Sequence, residues 1–64
     1  PLRLLDVLNQ AGIDEAGDLA NVTIRRRGKA HNVNLKAFVD QGAARQNPMI
    51  LDGDVINVPP IRDN

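Results

Sequence analysis

Two acids around a glycine, Asp52-Gly53-Asp54, are the part of this 64-residue chain that looks most like a loop for a metal ion or a phosphate. A calcium loop spaces its oxygen ligands over about 12 residues and ends on a bidentate Glu. The next acid after Asp54 is Asp63, so that ligand set is missing. A phosphate loop needs several glycines, a Lys and a following helix, whereas VINVPP is typical of a strand. We interpret Leu51–Pro60 as a turn, a β-strand and a stop at two prolines.

Four cations lie within the five residues Arg25, Arg26, Arg27, Gly28 and Lys29. Such a cluster could hold a phosphate or an acidic sugar. Because side chains alternate along a strand, Arg25, Arg27 and Lys29 are predicted to share one face, with Arg26 on the other, its stem packed and its head in water. Arg25, Arg27 and Lys29 are therefore the predicted ligand-binding residues. The alternative is a solvated hairpin whose charges oppose edge-to-edge aggregation.

Residues for catalysis or metal binding are scarce. The chain has no Cys and no Ser, His31 is the only His, and Thr23 is the only Thr. A metal site or a catalytic base needs partners that His31 lacks, and a hydroxyl nucleophile is almost excluded. The remaining carboxylates, Asp14, Glu15 and Asp18, fall in a Gly-containing loop and are expected to be solvated. The sequence predicts no enzyme, no metal and no cofactor.

The composition is that of one small globular domain over residues 1–64. Phe38 is the only aromatic residue, so the core must be aliphatic, and a core of this size rarely supplies more than about 3–5 kcal/mol. We therefore expect a chain that is marginally stable alone or is part of something larger. A net charge of zero argues against a nucleic-acid binder. No apolar run is long enough to cross a bilayer, and we predict no membrane contact by this segment.

The apolar spacing and the turn residues predict a short series of helices and strands. The first helix covers 2–11 and ends at Gly12, and two strands over 21–27 and 30–34 follow, joined by a turn at Gly28 and Lys29. A second helix over 35–41 lies between Asn34 and Gly42, and a last strand covers 54–58. The second helix is predicted to bury Leu35, Phe38 and Val39. This order predicts an α+β fold: a small mixed sheet with one main helix packed across it and a short second helix. One or two strands before Pro1 would complete a β-grasp arrangement, so we expect a chain truncated at its N-terminus.

Four segments in this order, LLDVLNQAGI, NVTIRRRGK, VNLKAFVDQG and NPMILDGDVINVPP, resemble the soluble-ligand-binding β-grasp (SLBB) domain, in the form found in bacterial polysaccharide export proteins of the outer-membrane auxiliary type. The positions that match the pattern of that family are Ala11-Gly12, Arg27-Gly28, Asn34-Leu35, Leu51, Gly53-Asp54, Ile56, Val58 and Pro59. Two features depart from it. Ile13 replaces a second glycine, and the opening strands of the family precede the helix and are missing here.

The resemblance implies a non-enzymatic module of a capsule or exopolysaccharide export protein in the periplasm of a Gram-negative bacterium, as part of an outer-membrane-associated ring. Its expected partners are other copies of the full-length protein, and the polysaccharide is a further candidate partner. The alternative is a stand-alone β-grasp module that binds a carbohydrate or small ligand through Arg25, Arg27 and Lys29. Other β-grasp classes fit less well: a ubiquitin-like carrier needs a flexible Gly-Gly terminus, and an iron–sulfur protein needs cysteines.

Overall fold

The computed structural model describes residues 2–12 and 17–61, which form a small α+β fold. The elements are helix α1 (Leu4–Gln10), a 3₁₀ turn (Leu19–Asn21), strands β1 (Val22–Arg26) and β2 (Lys29–Val33), helix α2 (Leu35–Gln41), a second 3₁₀ turn (Ala44–Gln46) and strand β3 (Val55–Asn57). The predicted class and the predicted order of elements are confirmed. The two helices are equal in length, and no described helix is long and apolar enough to cross a membrane.

Strand β1 lies at the centre of the sheet, with β2 and β3 antiparallel on its two sides. A mixed sheet was predicted, but all pairing between the described strands is antiparallel. Cross-strand partners lie on the same face of the sheet, so the register shows which residues lie on each of its two faces. The core face, towards the helices, carries Val22, Ile24, Arg26, Lys29, His31, Val33 and Ile56. The open face carries Thr23, Arg25, Ala30, Asn32, Val55 and Asn57.

A two-residue turn joins β1 to β2. Arg27 and Gly28 both take positive φ, 53° and 77°, which is the type I′ geometry that matches the twist of a hairpin. The turn therefore lies one residue earlier than predicted, and Lys29 begins β2 opposite Arg26. Gly28 adopts this backbone freely, whereas Arg27 has a Cβ and is strained there.

The core is small and aliphatic. Helix α1 contributes Leu4 and Leu8, four residues apart on one face, and Leu35 joins them from α2. Within residues 2–12 and 17–61, the buried apolar residues are Leu4, Leu8, Val22, Ile24, Val33 and Leu35. Each such side chain stabilises the fold by about 1.5–3 kcal/mol when fully buried, before the conformational entropy lost on folding is subtracted. The marginal stability expected from the sequence stays a prediction.

Helix α2 begins and ends as its sequence predicts. The Asn34 side chain accepts a hydrogen bond from the N–H of Ala37 at 3.1 Å, and Gly42 takes the left-handed conformation at φ 73°. Val39, however, is 55% exposed although it was predicted to lie in the buried stripe beside Leu35. The prediction is wrong because no described element covers that end of the helix face, which borders an open groove instead.

Candidate functional site

A paired arginine and aspartate mark the end of the core face of the sheet. Arg26 Nε donates to Asp54 Oδ1 at 2.8 Å, and Arg26 Nη2 donates to Asp54 Oδ2 at 2.7 Å. The Asp54 side chain is 1% exposed and that of Arg26 is 32% exposed. The prediction that the head of Arg26 lies in water is therefore wrong: its guanidinium is held in a bidentate pair, which a carboxylate accepts in a fixed geometry.

The same aspartate closes the turn that precedes β3. Asp54 N–H donates to the carbonyl of Leu51 at 3.1 Å, and Leu51 N–H donates to Asp54 Oδ2 at 2.8 Å. Gly53 has φ 87° at the third position, which gives a type II turn. The hydrogen bonds from Arg26, and then the one from Leu51, lower the pKa of Asp54 from 3.8 to about 2. The predicted reading of this segment as a turn and a strand is confirmed.

The three predicted ligand-binding cations do not share a face. Arg25 pairs with Ala30 and Val55 on the open face, Arg27 lies in the turn, and Lys29 pairs with Arg26 on the core face. The predicted alternation fails because Arg27 leaves the strand and the chain reverses before Lys29. All three side chains are exposed. Their role as ligand contacts stays a prediction.

Three other basic side chains do come together. Arg26 and His31, from β1 and β2, and Arg45, from the second 3₁₀ turn, line one cleft of about 230 Å³, which we call the basic cleft. No carboxylate is among its lining residues in the described part of the chain. His31 is exposed, and its charge adds a smaller contribution to the lowered pKa of Asp54.

Neutral groups complete the basic cleft. Ile24 and Val33 form part of its lining but are buried, and Asn32 and Gln46 also border it. Gln46 Oε1 accepts a hydrogen bond from the N–H of Asn34 at 2.8 Å, which fixes the amide and leaves its N–H groups as donors. The cleft thus combines positive charge with amide N–H donors.

A second groove, of about 390 Å³, lies against α2. It is bordered by Val39, by the Lys36–Asp40 ion pair of one helix turn, and by Ile61, which is 57% exposed. Hydrogen bonding to Asp40 raises the pKa of Lys36. Because an exposed pair of this kind contributes little to stability, the groove is mainly an apolar surface with a polar rim.

The acidic loop shows no catalytic arrangement in its described part. Asp18 accepts hydrogen bonds from Ala20 N–H at 3.2 Å and from Asn21 Nδ2 at 2.8 Å, so it caps a 3₁₀ turn. Asp14 and Glu15 lie outside the described residues. Across residues 2–12 and 17–61, no three His, Asp or Glu side chains gather as a metal site requires.

The sequence model of the SLBB domain matches residues 1–58 of the chain. The chain belongs to the SLBB domain family. SLBB domains are binding modules and are not known as enzymes. The matched range contains α1, the hairpin, α2 and β3, so the resemblance at the level of the domain is confirmed.

The sequence did not predict His31 and Arg45 as residues of a site in this SLBB domain, and it did not predict the ion pair of Arg26. His31 was set aside because it had no second His or Cys beside it, and Arg45 lay in what reads as a polar connector. Arg26 was assigned to the correct face, and the signal for its pairing was the acid Asp54 just before the last strand. Arg45 carried no local signal.

Proposed function

We propose that this SLBB domain is a non-enzymatic packing module of a polysaccharide export protein, in which copies of the full-length chain form a ring in the periplasm at the outer membrane. The polymer would be a capsular polysaccharide or an exopolysaccharide. The observation that carries the proposal is the ratio of exposed to buried apolar side chains. Six large hydrophobic residues are exposed in the described part of the chain, against six that are buried.

Five of the six exposed apolar residues are grouped on three surfaces. Leu2 and Met49 lie together, because Ile50 N–H donates to the carbonyl of Leu2 at 2.8 Å and Met49 bridges to Arg3. Val55 is 61% exposed on the open face of the sheet. Val39 and Ile61 border the groove along α2. Exposed apolar patches on a small domain are typical of surfaces that contact other protein.

The titratable groups support a structural role. Asp54 has the largest shift of pKa among the described residues, and perturbed groups are often catalytic. Here the shift arises from the ion pair with Arg26 and the hydrogen bond from Leu51, which both fix the end of the sheet. Asp54 is 1% exposed and is not accessible to a substrate. The carboxylate of Asp54 therefore stabilises the fold.

The proposal is tested on the complete protein that contains this domain, by analytical ultracentrifugation and electron microscopy. We expect a closed ring. Met49→Asp, Val55→Asp and Val39→Asp each place a charge on one of these three exposed apolar surfaces, and at least one should shift the protein towards monomer. Asn57→Asp is the matched control for Val55→Asp, because Asn57 is exposed on the same face of the same strand.

A strictly monomeric complete protein would overturn the proposal. So would a ring that all three charged variants leave intact, because the exposed apolar surfaces would then play no part in its packing.

The second candidate, direct binding of carbohydrate through Arg25, Arg27 and Lys29, gains little from the geometry. A bound sugar would have to contact opposite sides of the hairpin, since Arg25 and Lys29 lie on different faces.

A further inference from the structure

We propose that the basic cleft of Arg26, His31 and Arg45 is a binding site for a single sugar unit that carries an oxyanion, such as the carboxylate of a uronic acid. This site differs from the hairpin cations predicted from the sequence. The proposal does not rest on the ring assembly, because all groups of the cleft come from one copy of the domain.

The charge of the cleft selects an anion. Of the described residues that line it, three are basic, Arg26, His31 and Arg45, and none is acidic. The nearest carboxylate, that of Asp54, is 1% exposed and already bonded to Arg26 and Leu51. It therefore offsets part of the charge of Arg26 while His31 and Arg45 remain available to a ligand.

The guanidinium of Arg26 is preorganised for such a ligand. Its Nε and Nη2 donate to Asp54, and Nη2 also donates to the carbonyl of Met49 at 3.2 Å. Within the described part of the chain, its Nη1 has no hydrogen-bond acceptor. A guanidinium that is already fixed loses less conformational entropy when it binds an oxyanion.

The neutral groups of the cleft favour a sugar over a simple anion. The N–H groups of the Gln46 amide can donate to hydroxyl groups, since its oxygen is held by Asn34. The volume of about 230 Å³ is below the range of roughly 300–1,000 Å³ for drug-sized ligands, so the cleft fits one small ring and not an oligomer.

The test is a titration of the ¹⁵N-labelled chain followed by NMR, with D-glucuronate as the probe. We expect saturable shifts at His31, Asn32, Arg45 and Gln46, with a dissociation constant on the order of 1 mM for so small and open a site. Methyl glucoside, acetate and inorganic phosphate are the comparison ligands. Each should bind more weakly than glucuronate, because each lacks either the anion or the sugar ring.

Two pairs of variants locate the site. His31→Ala and Arg45→Ala should each weaken glucuronate binding about fivefold or more, because the first removes a hydrogen-bonding ring and the second a charge-assisted contact. Arg25→Ala and Arg27→Ala remove a charge from the hairpin outside the cleft and should leave the affinity unchanged. Thermal unfolding of each variant checks that it remains folded.

Three results would overturn the proposal. They are the absence of saturable shifts in the cleft, an affinity for acetate or phosphate equal to that for glucuronate, and a loss of binding in Arg25→Ala and Arg27→Ala but not in Arg45→Ala. None of these results bears on ring assembly, which ultracentrifugation reports separately.

Discussion

The side-chain oxygen of Asn47 accepts a hydrogen bond at 2.9 Å from the backbone N–H of Leu5, 42 residues earlier in the chain. Leu5 is in the first turn of α1, where helix N–H groups lack partners within the helix. The neighbouring N–H of Leu4 donates to the carbonyl of Pro48 at 2.9 Å. The start of the first helix is thus capped by the segment that leads to the last strand.

Asn47→Ala is expected to destabilise the domain by about 1–3 kcal/mol, because it leaves the Leu5 N–H without its partner at a site where Asn47 is only 8% exposed. Urea denaturation followed by circular dichroism measures the loss. Asn57→Ala, at an exposed position, is the control and should change the unfolding free energy by less than about 0.5 kcal/mol. Equal effects of the two substitutions would contradict the capping role of Asn47.

Asp54→Asn is expected to lower the melting temperature by about 5 °C or more. An amide cannot accept two hydrogen bonds from Arg26 and one from Leu51 at once. Asp52→Asn is the matched control, since Asp52 is an exposed acid in the same turn, and we expect it to change the melting temperature little. A double-mutant cycle with Arg26→Gln separates the contribution of the ion pair from that of the turn. If the changes in unfolding free energy of the two single variants simply add in the double variant, Arg26 and Asp54 are not energetically coupled.

The stability of the domain should decrease at acid pH because of Asp54. Its pKa is lowered from 3.8 in the unfolded chain to about 2 in the fold. A depressed pKa stabilises the folded state above the unfolded value, so this contribution is complete above about pH 5 and is lost as the pH falls from about 4 towards 2. Thermal unfolding between about pH 6 and pH 2 should show the melting temperatures of the native chain and Asp54→Asn converging. A constant difference over that range would exclude this titration.

Arg27→Asn is expected to stabilise the domain by about 0.5–1 kcal/mol. Arg27 is exposed at φ 53° in a type I′ turn, and Asn-Gly is the residue pair that this turn favours. Arg25→Asn is the contrasting variant, because Arg25 lies within β1, where Asn is disfavoured. Chemical denaturation should give Arg27→Asn a higher free energy of unfolding than the native chain and Arg25→Asn a lower one. A lower value for Arg27→Asn would show that the Arg27 side chain makes a stabilising contact.

Features set by neighbouring residues could be predicted from the sequence. Asn34 and Gly42 bound α2, and Gly53 shapes the turn before β3, because each acts within a few residues of itself. The hairpin turn was misplaced by one residue, because two adjacent positions could take positive φ and the strained choice, Arg27, was not evident.

Features set by distant pairing could not be predicted. The burial of Asn47 and the union of Arg26 with Asp54 depend on how β3 and the segment before it lie against the rest of the chain. The basic cleft depends on the same packing, because Arg45 reaches it from a connector with no periodic pattern.

The position of the Arg26–Asp54 pair also bears on the fidelity of folding. It lies one step beyond the ladder that joins Arg25 to Val55. A slip of β3 by one residue would turn Ile56 towards solvent and would separate the carboxylate of Asp54 from the guanidinium of Arg26. A strand of three residues has little else to distinguish correct from incorrect alignment, so this ion pair makes mispaired forms of the sheet costly.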